Sequence, residues 1–354
     1  MDENQNDLFI RDQLTPRPPR RRNDGKKVIL IIVYILVVAL LAVSAFFISN
    51  MIIKSRGEAA ETTAPQNGET TEPPETTSAD PYAGYLTIPA AQSEVNKGNL
   101  ILINSDFPYV FPTLGLSLDN VYDNRPEAGA NGYRPYKLST RNHELTPETL
   151  DAFNKMMLDL MAQTGNHCVQ ITSSYRSYEA QDTLFRQFEA SLGAIEAAAR
   201  AALPGNSEHH TGLSMDLNIY GDDGKTYSLD GYDNSFEWMQ ENMHKYGFIL
   251  RYPSNKTSIT RITYEPWHIR YVGVPHAYVI AKNNWCLEEY TAEIRDKYPL
   301  EGNHLVVEDD AGGKYEIYYV RATGELTDLR VPTDKPYTIS GNNVDGFVVT
   351  VTLG

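Results

Sequence analysis

Ser207-Glu208-His209-His210-Thr211-Gly212-Leu213-Ser214-Met215-Asp216 gathers two imidazoles, a carboxylate and a glycine turn into ten residues. A second stretch, Glu265-Pro266-Trp267-His268, adds another imidazole and another carboxylate. A hydrolytic zinc centre takes three ligands from His, Asp or Glu, leaves a position open for water and keeps a base beside it. His209, Asp216 and His268 fit the ligand roles, with Gly212 folding the first loop back on itself. Glu265 fits the base, taking a proton from the water and passing it to the leaving amine. His210 rivals His209 as the ligand, or else supports it or meets substrate. A lone His-His pair is most often two exposed polar residues, and Glu-x-x-His is commoner still; only their joint presence reverses those odds.

The flanking sequence supplies elements to carry these groups. Thr146-Pro147 opens a helix with Leu150, Phe153, Met157, Leu160 and Met161 as its apolar stripe, and Gly165 closes it. Residues 168–174 alternate as a strand. Ser173-Ser174-Tyr175-Arg176-Ser177-Tyr178 then turns into a second helix, expected over 178–202. Arg176 is suited to donate to the oxyanion formed when water attacks a peptide carbonyl, and the Gln181 amide to bind a peptide backbone. The bland alternative for Arg176 is an exposed arginine in a tight turn. Residues 217–220, 248–252 and 267–271 read as strands, 235–246 and 276–298 as helices, and the run Leu100-Ile101-Leu102-Ile103 as a short strand. Helices and strands mix without a βα repeat, so the expected class is α+β.

Outside this region the composition changes. Val28 to Ile48 carries no charge and no proline, enough to cross the roughly 30 Å hydrocarbon layer as a helix. Arg17, Arg20, Arg21, Arg22, Lys26 and Lys27 precede it, which predicts a cytoplasmic N-terminus and everything after the helix outside. A cleaved signal peptide is the competing reading, disfavoured by the length of the run. Gly57 to Asp80 has no Lys or Arg and no apolar residue larger than alanine, as expected of a disordered stalk. The resulting plan is a basic tail (1–27), a membrane anchor (28–53), a stalk (54–80), a peptidase-like domain (81–299) and a small β appendage (300–354). The appendage rests on alternating runs at 305–307, 315–320, 337–340 and 347–352.

A formal charge of -15 argues against nucleic acid as the main partner. Cys168 and Cys286 allow one disulfide or two separate buried thiols, the latter favoured slightly.

Taken together, Ser207-x-His209-x-x-Gly212-x-Ser214-x-Asp216, Glu265-Pro266-Trp267-His268, Ser174-Tyr175-Arg176-Ser177 and Tyr246 to Pro253 resemble the LAS family of zinc peptidases. The similarity is to its VanY-type D-alanyl-D-alanine carboxypeptidase branch and covers about residues 100–290. The resemblance implies the Hedgehog/DD-peptidase-like fold. It implies zinc on His209, Asp216 and His268, Glu265 as base and Arg176 on the carbonyl and oxyanion, with Gln181, Ser207 and Tyr252 meeting substrate. The implied reaction removes the terminal D-alanine of peptidoglycan stem peptides, at the outer face of the cell membrane. Ser214 departs from the family's usual alanine, a small change expected to leave the site intact. Two rivals stand beside this: an L,D-carboxypeptidase acting on tetrapeptide stems, and an inactive zinc-containing module that binds cell-wall peptide.

Overall fold

The computed structural model describes residue 82, residues 84–130 and residues 132–354. The anchor at 28–53 and the stalk at 54–80 lie outside these residues. Among the described residues, no helix is long and apolar enough to cross a membrane.

The strands before the second ligand motif are β1 (Tyr85–Ala91), β2 (Asp119–Asn120), β3 (Lys137–Leu138), β4 (Glu144–Leu145), β5 (Val169–Ser173), β6 (Ser214–Tyr220), β7 (Thr226–Tyr227) and β8 (Phe248–Tyr252). From that motif onward they are β9 (Glu265–Tyr271), β10 (Leu305–Glu308), β11 (Lys314–Arg321), β12 (Leu326–Pro332), β13 (Tyr337–Gly341) and β14 (Gly346–Thr352). The longer helices are α1 (Pro147–Thr164), α2 (Tyr178–Leu192), α3 (Ala194–Arg200), α4 (Ser235–Asn242), α5 (Val274–Asn283) and α6 (Leu287–Lys297).

The central sheet runs β3-β5-β6-β9-β8, with β7 paired to the outer part of β6. Only β3 and β5 are parallel within it. Helix α1 begins as its sequence demands. The Thr146 hydroxyl accepts from Thr149 N–H, Pro147 takes the first turn, and Gly165 ends the helix in the left-handed region. Its buried face, Leu150, Phe153, Met156, Met157 and Leu160, packs with Met215, Leu217, Ile219 and Ile269 of the sheet and Phe236 and Met239 of α4. Burying such side chains contributes about 1.5–3 kcal/mol each, so this one interface anchors the sheet that carries the site.

Several expectations are corrected. The helix expected over 178–202 breaks at Gly193, where φ is +82°, into α2 and α3. The helix expected over 276–298 is two, parted at Asn284 (φ +51°), with Cys286 capping α6. Residues 101–103 are buried but not a strand; they form a strap held by side chains and by the far end of the chain.

The C-terminal region also proves larger than an appendage. Strands β10-β11-β14-β13 make an antiparallel sheet, and β12 pairs with β1 along seven residues, from Tyr85–Pro332 to Ala91–Leu326. Residues 85–91 thus pair with a C-terminal strand. Val307, Ile317, Tyr319 and Val348 share a core with Ile280, Leu287, Tyr290 and Ile294 of α5 and α6. At the tip of the β13–β14 hairpin Asn343 adopts φ +58°. Its side-chain amide donates to the carbonyls of Leu102 and Pro108, both at 3.0 Å, so the hairpin grips the strap.

Candidate active site

Neighbouring strands place the expected ligands side by side. Ser173 on β5, Asp216 on β6 and His268 on β9 occupy successive paired positions across the sheet. His209 comes from the 3-10 turn just before β6, which Gly212 closes at φ +69°. The left-handed conformation favours glycine there, and a Cβ would lie 2.7 Å from the end of the Leu118 side chain, which would have to shift.

The ligand atoms of His209, Asp216 and His268 all lie within 4.8 Å of one another. His209 Nε2 is 3.2 Å from Asp216 Oδ2, and His268 Nδ1 is 2.9 Å from Asp216 Oδ1. The two rings stand perpendicular with centroids 5.0 Å apart. His209 Nδ1 meets the Ser174 carbonyl at 2.6 Å, which turns its other nitrogen toward the cluster. Two imidazole nitrogens and a carboxylate oxygen, converging in a buried site, are a donor set that suits zinc.

His210 is removed from contention. Its Nδ1 pairs with the Arg176 carbonyl at 2.6 Å and its Nε2 with Gly205 N–H at 3.1 Å, so both nitrogens are spent on backbone. The residue instead locks the turn that bears Arg176.

Charge in the cluster is tightly coupled. Burial opposes ionisation of Asp216, but His209 and His268 beside it hold its carboxyl well below the usual range. Burial likewise opposes protonation of His268, yet the carboxylates of Asp216 and Glu208 push it up to about 9. Glu265, whose Oε2 is 3.9 Å from His268 Nδ1, has few compensating partners, and burial pushes it up to about 8.

Arg176 lies over the same spot, 3.9 Å from Asp216 Oδ2. Its Nη1 donates to Gln181 Oε1 at 2.6 Å and its Nη2 to Ser173 Oγ at 2.5 Å. Gln181 is 1% exposed and its Nε2 donates to the Ala202 carbonyl at 2.7 Å. Gln181, expected to bind a peptide, braces Arg176 in this structure. Ser207 accepts from His209 N–H through its hydroxyl at 3.3 Å. The Tyr252 ring packs 5.0 Å from that of His268, and burial keeps its phenol protonated.

Sequence reading missed the buried ion cluster behind the ligands. Glu208 Oε1 accepts from Arg251 Nε at 2.7 Å and from Arg270 Nη1 at 2.6 Å. Arg251 also pairs with Glu288 on α6 at 2.7 Å, and Arg270 Nη2 donates to the carbonyls of Asn99 and Ile101. A signal was present: Arg251 and Arg270 interrupt apolar strand segments, and a charge buried there needs a partner.

Ser214 is fully buried and its hydroxyl finds no hydrogen-bond partner among the described residues, so the departure from alanine carries a cost to stability rather than to geometry. Cys168 and Cys286 are both free and buried.

A sequence model of the family described as VanY, D-alanyl-D-alanine carboxypeptidase, matches residues 142–274. A D-alanyl-D-alanine carboxypeptidase of Enterococcus faecium is 37% identical over 266 residues, covering 74% of this chain and 78% of the relative. The bifunctional D-Ala-D-Ala dipeptidase and carboxypeptidase VanXYC of Enterococcus gallinarum is 38% identical over 124 residues, 34% of this chain and 65% of its own. Among solved structures, the vancomycin-resistance D,D-dipeptidase VanXYg, bound to a D-Ala-D-Ala phosphinate analogue, superposes with a TM-score of 0.62. That similarity has 31% sequence identity and covers 76% of this chain and 99% of the other.

Proposed function

The chain belongs to the VanY family of D-alanyl-D-alanine carboxypeptidases, and on that premise we propose that it is a zinc-dependent D,D-carboxypeptidase trimming the terminal D-alanine from peptidoglycan stem peptides. The observation that carries this reading is the convergence of a three-ligand cluster with one carboxyl and one guanidinium, Glu265 and Arg176.

A zinc ion held by His209, Asp216 and His268 would supply a Lewis acid that polarises the scissile carbonyl and acidifies a water molecule. Glu265 takes the proton from that water. The same carboxyl then delivers that proton to the leaving amine of D-alanine. Arg176, fixed by Gln181 and Ser173, directs N–H groups at the carbonyl oxygen and holds the negative charge that develops there. The Ser207 hydroxyl and the protonated Tyr252 phenol stand beside the ligand histidines as donors for the substrate's terminal carboxylate.

The proposal extends to location. The uncharged run 28–48, with basic residues before it, anchors the chain in the cell membrane with its N-terminus inside, and residues 57–80 hold the peptidase unit out toward the wall.

Incubating the purified full-length protein with pentapeptide and tetrapeptide stems, and identifying released amino acids by mass, tests the reaction. Release of D-alanine from the pentapeptide alone is expected. Release from the tetrapeptide alone would make the enzyme an L,D-carboxypeptidase, and no release from either by the zinc-loaded protein would leave a binding module.

A further inference from the structure

We propose that Glu208 is a positioning residue: it fixes the tautomer of His268 and thereby the grip of the site on its metal. The inference rests on the zinc reading above. His268 Nδ1 faces Asp216 at 2.9 Å, which makes Nδ1 the ring's ligand atom. A neutral imidazole that offers its lone pair at Nδ1 carries its proton at Nε2. That N–H needs an acceptor, because His268 is only 4% exposed.

The structure provides one candidate. His268 Nε2 and Glu208 Oε2 face each other at 3.5 Å, at the outer edge of hydrogen bonding. Both atoms are buried, and neither has a closer hydrogen-bond partner among the described residues. Glu208 is itself 1% exposed and cannot turn to water. Nor can it swing aside, because Arg251 and Arg270 both hold its other oxygen, Oε1. Arg251 is tied in turn to Glu288, and Arg270 to two strap carbonyls.

His209 solves the same problem in the opposite sense. Its Nδ1 proton goes to the Ser174 carbonyl, leaving Nε2 for the cluster. The two ligand histidines thus hold opposite tautomers, one set by a backbone carbonyl and one by a buried carboxylate. A carboxylate behind a ligand ring fixes its orientation and strengthens it as a donor.

Glu208→Gln isolates this role. The new amide must turn its oxygen toward Arg251 and Arg270, which places its NH2 against His268 Nε2–H, donor against donor. Metal-stripped full-length protein, wild type and variant, is titrated with zinc against a chelator of known affinity. In parallel, protein carrying nitrogen-15 histidine is loaded with cadmium-113 and examined by NMR. The wild type should couple to cadmium through His268 Nδ1 and His209 Nε2, with a slowly exchanging proton on His268 Nε2. The variant should bind zinc about 10- to 100-fold more weakly and lose that slow exchange. Unchanged affinity and exchange in the variant would overturn the inference and leave the zinc reading standing. A wild type that takes up no metal would remove both. Should the variant fail to fold, the wild-type spectrum decides alone: coupling through His268 Nε2, or a freely exchanging proton there, refutes the role given to Glu208.

Discussion

Replacing Asn343 by alanine should loosen the grip of the C-terminal hairpin on the strap that braces the site. The Asn343 side chain makes three hydrogen bonds, donating to the Leu102 and Pro108 carbonyls and accepting from Asn96 Nδ2 at 2.6 Å. At about 0.5–1.5 kcal/mol net for each, their loss amounts to roughly 1.5–4.5 kcal/mol. Alanine also tolerates the left-handed conformation poorly, adding about 1 kcal/mol that glycine would not incur. Domains of this kind are stable by about 5–15 kcal/mol, so the change is large enough to measure and small enough to leave a folded protein. Urea unfolding followed by tryptophan fluorescence is the assay, read as the midpoint at unchanged slope. Asn343→Ala should lose about 2.5–5.5 kcal/mol, and Asn343→Gly about 1 kcal/mol less. If both variants unfold within about 0.5 kcal/mol of the wild type, the ordinary scatter of surface substitutions, the hairpin is no clamp and this reasoning fails.

Three further outcomes follow from the geometry. Glu265→Ala should retain zinc, measured by elemental analysis, while kcat falls by about 10²–10⁴ through loss of the proton-transfer group; full activity would remove Glu265 from the mechanism. Ser214→Ala should raise stability by about 1 kcal/mol or more, because it deletes a buried hydroxyl without a partner, and a lower unfolding midpoint would contradict that. His276 is buried between Tyr290 and Thr350, and burial alone drives its imidazole down to about 3. The folded protein therefore keeps it neutral while the unfolded chain binds a proton below about 6.5. Stability should accordingly be complete above that pH and fall as pH is lowered from about 6.5 toward 3. His276→Gln should flatten this part of the profile, and an unchanged slope would show that other groups set it.

The convergence of His209, Asp216 and His268 was legible because its determinants are local. Gly212 dictates the turn, His209 and Asp216 share one short segment, and Glu265 and His268 open another. The choice between His209 and His210 came only from the family resemblance, since in the residues themselves it depends on carbonyls of Ser174 and Arg176 some thirty residues earlier in the chain. The 100–103 run misled for a general reason. A continuous apolar stretch signals burial without saying which partners satisfy its backbone, and here Leu102 N–H goes to the Asn342 carbonyl. The pairing of β1 with β12 joins two ordinary alternating segments from opposite ends of the fold, and neither one alone names its partner.

That last pairing also determines how the molecule answers to force. Tension applied ahead of β1 would enter at Tyr82, whose hydroxyl donates to the Leu300 carbonyl, and at Tyr85, the first residue of β1. The load passes into the seven-residue ladder with β12 before any of it reaches β5, β6 or β9. The ladder then acts as a mechanical fuse. Under such tension it would part first, while the spacings among His209, Asp216 and His268 rest on the separate pairings of β5, β6 and β9.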